Sequence, residues 1–425
     1  MKLQEIVGFT NSIFKDLKNS PDGREKVPMN DFVKALIFSL TNTQTAGARF
    51  SINAFRQTVC GHLKKNLARS TFWEKLASKK LSESLETVLH TLVESTPLLD
   101  GFKELMDVVK VSDIILTDSS INSLDPAAAF YFPGTFPVKN SASIKLHNLF
   151  SLRLGNFVDF RASPGADHDF KHFPFECMPY LKNKLLIADL GYFKIELFNQ
   201  IRNHGGYFLS RLKKNSVVKL KSVLIGLSQK GHHNGKGLAD FKRKHSDVIA
   251  FKASMKDLEE EATVVGFWNN QEFKYHFYIT NLTCDLSIIY KIYRLRWQIE
   301  LVFKGLKTHI AFDEIPSADP AIIKSLFLAR MIFAIVGLAF SRGCIKIYYP
   351  ESIQSSESIL RRFSFFCRLS EDLYRYVSSR GMACRESSFR ELKCKIEILQ
   401  KELIDPNRRK RSNSMNFIKP LTVAA

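Results

Sequence analysis

The chain has 425 residues, 45% of them hydrophobic with 35 Phe, and a formal net charge of +20. That much apolar material fills two to three packed bodies and excludes a disordered chain, and the charge points to a polyanionic partner, nucleic acid before an acidic protein or a membrane surface. Seven widely spaced Cys with no Cys-x2-Cys pair exclude a zinc ribbon and a disulfide framework, and with no apolar leader after Met1 the expected compartment is a reducing cytoplasm.

Residues 1–105 carry helical patterns, clearest over Asp31–Leu40, with breaks expected near Ser20-Pro21-Asp22-Gly23 and Ser70-Thr71. The run Val108–Ser120 is rich in β-branched residues and reads as a strand with Asp118 at its end. Ile144–Phe150 and Gly155–Ala162 read as two further strands. Lys184–Ala188 is a short apolar run suited to a buried central strand, and it is closed by Asp189. A helix over Phe193–Asn203 and a strand over Tyr207–Lys213 follow. A carboxylate at a strand end faces the crevice where α/β sheets bind ligands, although a single Asp there is more often a cap or turn residue.

From 214 to 285 the pattern loosens into four strand-like pieces, at 217–220, 247–251, 263–267 and 274–279, parted by Gly, Asn and Lys. This stretch holds the densest positive charge. Eleven Lys or Arg stand against two Asp between Arg211 and Lys252, including Lys242, Arg243 and Lys244, a composition suited to tracking a phosphate backbone or to a merely solvated surface. Trp268 lies in the same region; it is a candidate to stack on an unpaired base, with a core position as the commoner alternative. His168 with His172, and His232 with His233, lack further ligands at metal-binding spacing.

Most informative is Tyr293–Lys307. On an α-helix, Tyr293, Arg296, Glu300 and Lys307 fall within about 60° of one another, while Ile292, Leu295, Ile299, Val302, Phe303 and Leu306 form the opposite face. One carboxylate is therefore held among three groups able to bind phosphate, where an ordinary surface helix would simply pair Glu300 with Arg296 and Lys304. Ile322–Phe340 is strongly apolar but interrupted by Lys324 and Arg330, so it is expected to be a buried helix beneath the Glu300 helix rather than a membrane span. The C-terminal part reads as helical and ends in the basic cluster around Arg408-Arg409-Lys410-Arg411, suited to a solvated tail or to nonspecific DNA contact.

The pattern Y-x2-R-x3-E-x6-K resembles the signature around the third acidic residue of bacterial insertion-sequence transposases of the DDE class, in the insertion sequence four type. The order Asp118, Asp189, Glu300 and the stretch Gly206–Lys213 are similar to that family as well. The resemblance implies an α/β fold: an RNase H-like catalytic domain interrupted by a β-rich insertion, with helical N- and C-terminal regions. The boundaries it suggests are a DNA-binding region at 1–105, a first catalytic part at 106–213, a basic insertion at 214–285, a second catalytic part at 286–345 and a C-terminal region at 346–425. It further implies Mg²⁺-dependent cleavage at element ends and strand transfer, with Asp118, Asp189 and Glu300 holding two Mg²⁺ ions for which Mn²⁺ can substitute. Tyr293, Arg296 and Lys307 would hold phosphates, Arg211, Lys242, Arg243, Lys244 and Trp268 would contact DNA, and a homodimer would bring two double-stranded element ends to the target DNA, with no membrane involved. A structure-specific nuclease of the same fold and a DNA-binding derivative that no longer cuts are the alternatives.

Overall fold

The computed structural model describes residues 2–17, 26–41, 51–95, 102–136, 140–213, 216–227, 238, 241, 243–350 and 357–404. The break expected at 20–23, His232, His233, Lys242 and the basic C-terminal cluster lie outside these residues.

Among the described residues six helices come first: α1 (Leu3–Ser12), α2 (Met29–Phe38), α3 (Ile52–Leu63), α4 (Arg69–Ala77), α5 (Lys79–Ser95) and α6 (Lys103–Val109). The break expected at Ser70-Thr71 falls earlier in the chain. Lys64 adopts the left-handed conformation and ends α3, so Ser70 and Thr71 lie in the first turn of α4. Val108 and Val109 likewise belong to α6, which a left-handed Lys110 terminates, and the strand expected from 108 starts only at Asp113.

The strands are β1 (Asp113–Ser123), β2 (Pro133–Phe136), β3 (Asn140–Ser151), β4 (Asn156–Pro164), β5 (Lys184–Ala188), β6 (Tyr207–Arg211), β7 (Val218–Ile225), β8 (Val248–Met255), β9 (Ala262–Asn269) and β10 (Lys274–Thr280), with α7 (Ile195–Asn203) between β5 and β6. All ten form one mixed sheet in the order β2-β3-β1-β5-β6-β10-β9-β8-β7, with β4 on the same edge of β3 as β2. β5 runs parallel to β1 and β6 parallel to β5, whereas β3 and β4 are antiparallel neighbours. Strands β7 to β10 form an antiparallel meander whose last strand pairs with β6. The basic stretch thus extends the central sheet instead of forming a body of its own.

After the sheet come α8 (Ile289–Tyr293), a 3₁₀ turn at Arg294–Arg296, α9 (Trp297–Ile310), α10 (Pro320–Tyr348), α11 (Ile359–Ser378) and α12 (Met382–Leu399). α10 is the hub of the helical side. Asp319 caps its first amides and Pro320 starts it. Its residues from Ile322 to Ile345 are almost all buried, packed by α1, α2, α4, α5 and α11. The N- and C-terminal helices therefore share a single core, which includes residues from Ile6 to Leu403. A second core covers the other sheet face beneath α7 and the 3₁₀ segment Phe175–Leu181.

α10 does not run along the Glu300 helix as expected. It touches the segment after α9, through the Phe312–Phe327 ring pair and through Arg330, which donates to the Glu314 carbonyl. α11 is the helix that packs along α9, at Gly305, where a β-carbon would overlap the Phe363 ring. α11 is itself held by buried charge: Arg362 donates to the Gly155 carbonyl and, with Arg342, to Glu357. Burial pushes the Arg362 pKa down to about 10 against the pull of Glu357.

Candidate active site

Sheet register brings the first two acidic residues together. The last parallel pair between β1 and β5 is Thr117 with Ala188. Asp118 and Asp189 each follow one residue later on neighbouring strands, which puts them at one level of the sheet about 4.8 Å apart in strand spacing. Asp189 closes its strand as expected. Asp118 does not, because β1 continues to Ser123 by pairing with β3 after β5 has ended.

Glu300 reaches the pair from α9, which lies over β1. Two bonds fasten that helix to the end of β1: Lys307 Nζ donates to the Ile121 carbonyl at 3.4 Å, and Asn122 Nδ2 donates to the Phe312 carbonyl at 3.4 Å. The expected apolar face of Ile292, Leu295, Ile299, Val302, Phe303 and Leu306 is buried throughout. Tyr293 and Arg296 are not on one continuous α-helix with Glu300, since the 3₁₀ turn separates α8 from α9. Residues three apart eclipse in a 3₁₀ turn, so Tyr293 and Arg296 stay aligned.

The guanidinium of Arg296 stands at the centre. Its Nη1 lies 3.0 Å from Asp118 Oδ2, its Nε 3.8 Å from Asp189 Oδ1, and its Nη2 2.6 Å from Glu300 Oε1. Sequence spacing predicts the pairing of Arg296 with Glu300; its reach to both aspartates is a tertiary fact. Burial raises the Asp118 carboxyl pKa to about 6; Asp189 and Glu300 push the same way, while the Ser119 amide and Arg296 oppose them. Burial lowers the Arg296 pKa, but Asp118, Asp189, Tyr293 and Glu300 outweigh it and the net direction is up.

A polar network that the sequence did not reveal braces Asp118 from behind. Its Oδ1 accepts from the Ser119 amide at 2.8 Å, and its carbonyl accepts from Asn148 Nδ2 at 3.0 Å. Ser119 Oγ donates to Asp169 Oδ1, which also pairs with the buried Lys145 at 3.0 Å. Gly191, two residues after Asp189, lies against the same carboxylate, where a β-carbon would come within 2.5 Å of Asp169 Oδ2. His147 lies between Tyr192 Oη at 3.1 Å and Ser163 Oγ at 2.8 Å, and burial lowers its pKa to about 4. His172 stacks on His147 and binds Asp167, and His168 accepts from the Phe170 amide, so each has a structural partner. The sequence signal for this network was the cluster Asp167-His168-Asp169, in which Asp169 takes its partners Ser119 and Lys145 from β1 and β3.

The remaining candidates are spread along the same end of the sheet. Arg211 ends β6 opposite Tyr278, whose ring packs 4.9 Å from that of Tyr293. Arg243 and Lys244 are exposed in the loop before β8, four strand spacings or roughly 20 Å from β5. Lys244 pairs with Asp247 at 2.6 Å, and Tyr275 Oη holds the loop by accepting from the His245 and Ser246 amides. Trp268 is half-buried on β9 and packs edge-on to Tyr275 with ring centres 5.0 Å apart.

The donor set can be tested for metal. Among the described residues, no three acidic, His or Cys side chains stand close enough to clasp a single cation. Asp118, Asp189 and Glu300 are instead spread around one guanidinium, partly exposed at 18%, 40% and 33%. All three supply hard oxygen donors partly open to solvent, the donor type that divalent cations such as Mg²⁺ take.

The transposase DDE domain family model matches residues 110–335, a span holding all three carboxylates and the whole sheet. The chain belongs to this family. Similar proteins are the transposase for insertion sequence element IS231B of Bacillus thuringiensis subsp. berliner, 24% identical over 55% of this chain and 57% of that protein, and the IS231D transposase of Bacillus thuringiensis subsp. finitimus, 27% identical over 46% and 49%. The IS1151 transposase of Clostridium perfringens is 22% identical over 62% and 66%. The chain thus matches about half to two thirds of the length of these relatives. A synaptic complex of piggyBac transposase with hairpin DNA overlays 93% of the chain at a TM-score of 0.45 and 12% identity, too distant to carry a role to any residue.

Proposed function

We propose that this DDE-family chain is an insertion-sequence transposase that cleaves double-stranded DNA at element ends and joins those ends to target DNA. What supports the reading is the convergence of Asp118, Asp189 and Glu300, from two parallel strands and a helix, on the single guanidinium of Arg296. In this reading the mixed sheet is the RNase H-like catalytic core, β7 to β10 are its insertion, and the signature of the insertion sequence four type is carried by Tyr293, Arg296, Glu300 and Lys307.

Asp118, Asp189 and Glu300 would hold two divalent cations, Mg²⁺ by preference, since the donors are all hard oxygens. Bound there, the cations lower the pKa of the attacking water or 3′ hydroxyl and neutralise the leaving oxygen. The residues of the chain do the positioning. Ser119 and Asn148 fix Asp118, and Lys145 with Asp169 keeps that part of β1 from shifting. Tyr293, Arg296 and Lys307 hold the phosphates flanking the scissile bond, Arg by its fork and Lys as a point charge. Arg211, Arg243 and Lys244 line the path of the backbone along the meander, beside Trp268. Joining two ends calls for two active sites, hence a homodimer on DNA.

The test is cleavage of a labelled duplex bearing the element's terminal repeat, with Mg²⁺ added or withheld. Wild-type protein nicks the duplex only with Mg²⁺, and Glu300→Gln loses more than about 100-fold in rate while retaining DNA binding. Full cleavage by Glu300→Gln overturns the assignment; cleavage without any joining of ends to target reduces the chain to a nuclease.

A further inference from the structure

In the structure Arg296 occupies oxygens of two of the three carboxylates. Nη1 is on Asp118 Oδ2 at 3.0 Å and Nη2 on Glu300 Oε1 at 2.6 Å, while the other Asp118 oxygen is engaged by the Ser119 amide. Nε faces Asp189 at 3.8 Å. A cation bound at these carboxylates competes with the guanidinium, because the two would share Asp118 Oδ2 and Glu300 Oε1 as acceptors and their like charges repel at contact distance. Phosphate is the other natural partner of an Arg fork. Arg296 is 20% exposed and carried on a flexible stem, so it has a route outward to a bound strand.

We propose that Arg296 is a latch: it neutralises the three carboxylates while DNA is absent, and its transfer to a DNA phosphate opens the site, so that DNA and divalent cations bind cooperatively. This rests on the three carboxylates being the cation site. The logic is that of linkage, in which two ligands that each release the same internal contact must favour one another by one shared factor. The consequence is protective, since a latched site holds few cations and cuts little until a strand is in place.

The test measures binding alone. Mn²⁺ is titrated into wild-type protein, Arg296→Met, Arg296→Lys and Asp118→Asn, with and without a short duplex of arbitrary sequence, and free Mn²⁺ is read by electron paramagnetic resonance. Wild type should bind Mn²⁺ weakly alone and about 5- to 150-fold more tightly with duplex, the usual range for coupled sites. Arg296→Met should bind Mn²⁺ more tightly than wild type without DNA and show little further gain with it. Arg296→Lys, which keeps the charge but cannot fork to three carboxylates, should fall between them. Equal Mn²⁺ affinity of wild type and both Arg296 variants in the absence of DNA overturns the latch, and binding lost in Asp118→Asn shows that the carboxylate site itself stands. No Mn²⁺ binding by any of the proteins, with or without duplex, overturns both.

Discussion

Replacing Asp118 with Asn should make the cation-free protein more stable, although it removes a charge partner of Arg296. The Asp118 carboxyl is raised from 3.8 to about 6, chiefly by burial, with Asp189 and Glu300 adding repulsion that Arg296 only partly offsets. A carboxyl whose pKa is higher in the folded state favours folding while protonated. That contribution is complete below 3.8 and is lost as pH rises through about 6. Above pH 6 the ionised group therefore costs stability, about 3 kcal/mol from the pKa difference, and roughly 1–3 kcal/mol once the partial exposure of the site is allowed for. Asn retains an oxygen for the Ser119 amide and carries no charge. In thermal melts with a chelator present, Asp118→Asn should melt a few degrees above wild type at pH 7.5, with most of the gain gone near pH 4.5. A lower midpoint at pH 7.5, or a gain of equal size at both pH values, refutes this account of the site's electrostatics.

Three further outcomes follow from particular contacts. Glu357→Ala strands the buried Arg342 and Arg362 without their carboxylate, and urea unfolding should show a loss of about 3–5 kcal/mol. Gly305→Ala forces α9 away from the Phe363 ring, so it should cost about 1–3 kcal/mol and depress DNA cleavage more than DNA binding, as compared in parallel assays. Lys307→Ala removes one proposed phosphate contact, and the slope of log affinity against log salt, measured by fluorescence anisotropy, should flatten by about 0.9.

Much of the sheet was legible because its strands carry their signals locally. Lys184–Ala188 is an apolar run closed by Asp189, and the four pieces of the meander are short runs of β-branched and aromatic residues. What escaped is set by pairing between distant segments. Asp118 lies within β1 rather than at its end because β3 supports six more residues, Asp118 to Ser123, after β5 stops, and a strand's own composition says nothing about how long its neighbours run. That the basic stretch would join the central sheet depends likewise on β10 finding β6. Helical periodicity put Arg296 and Glu300 on one face but could not show one guanidinium reaching Asp118 and Asp189, 178 and 107 positions upstream. The brace of Ser119, Asp169 and Lys145 joins residues from β1, β3 and a 3₁₀ turn, each an ordinary polar residue in its own segment.

The central claim is that three acidic side chains hold two divalent cations over a DNA strand. Crystals of the protein with Mn²⁺ and a duplex, measured by anomalous scattering, test it most directly. The account predicts two peaks about 4 Å apart among the oxygens of Asp118, Asp189 and Glu300, with Arg296 turned to a phosphate. Mn²⁺ bound elsewhere, or Arg296 still on the three carboxylates in a complex that cleaves DNA, would contradict it.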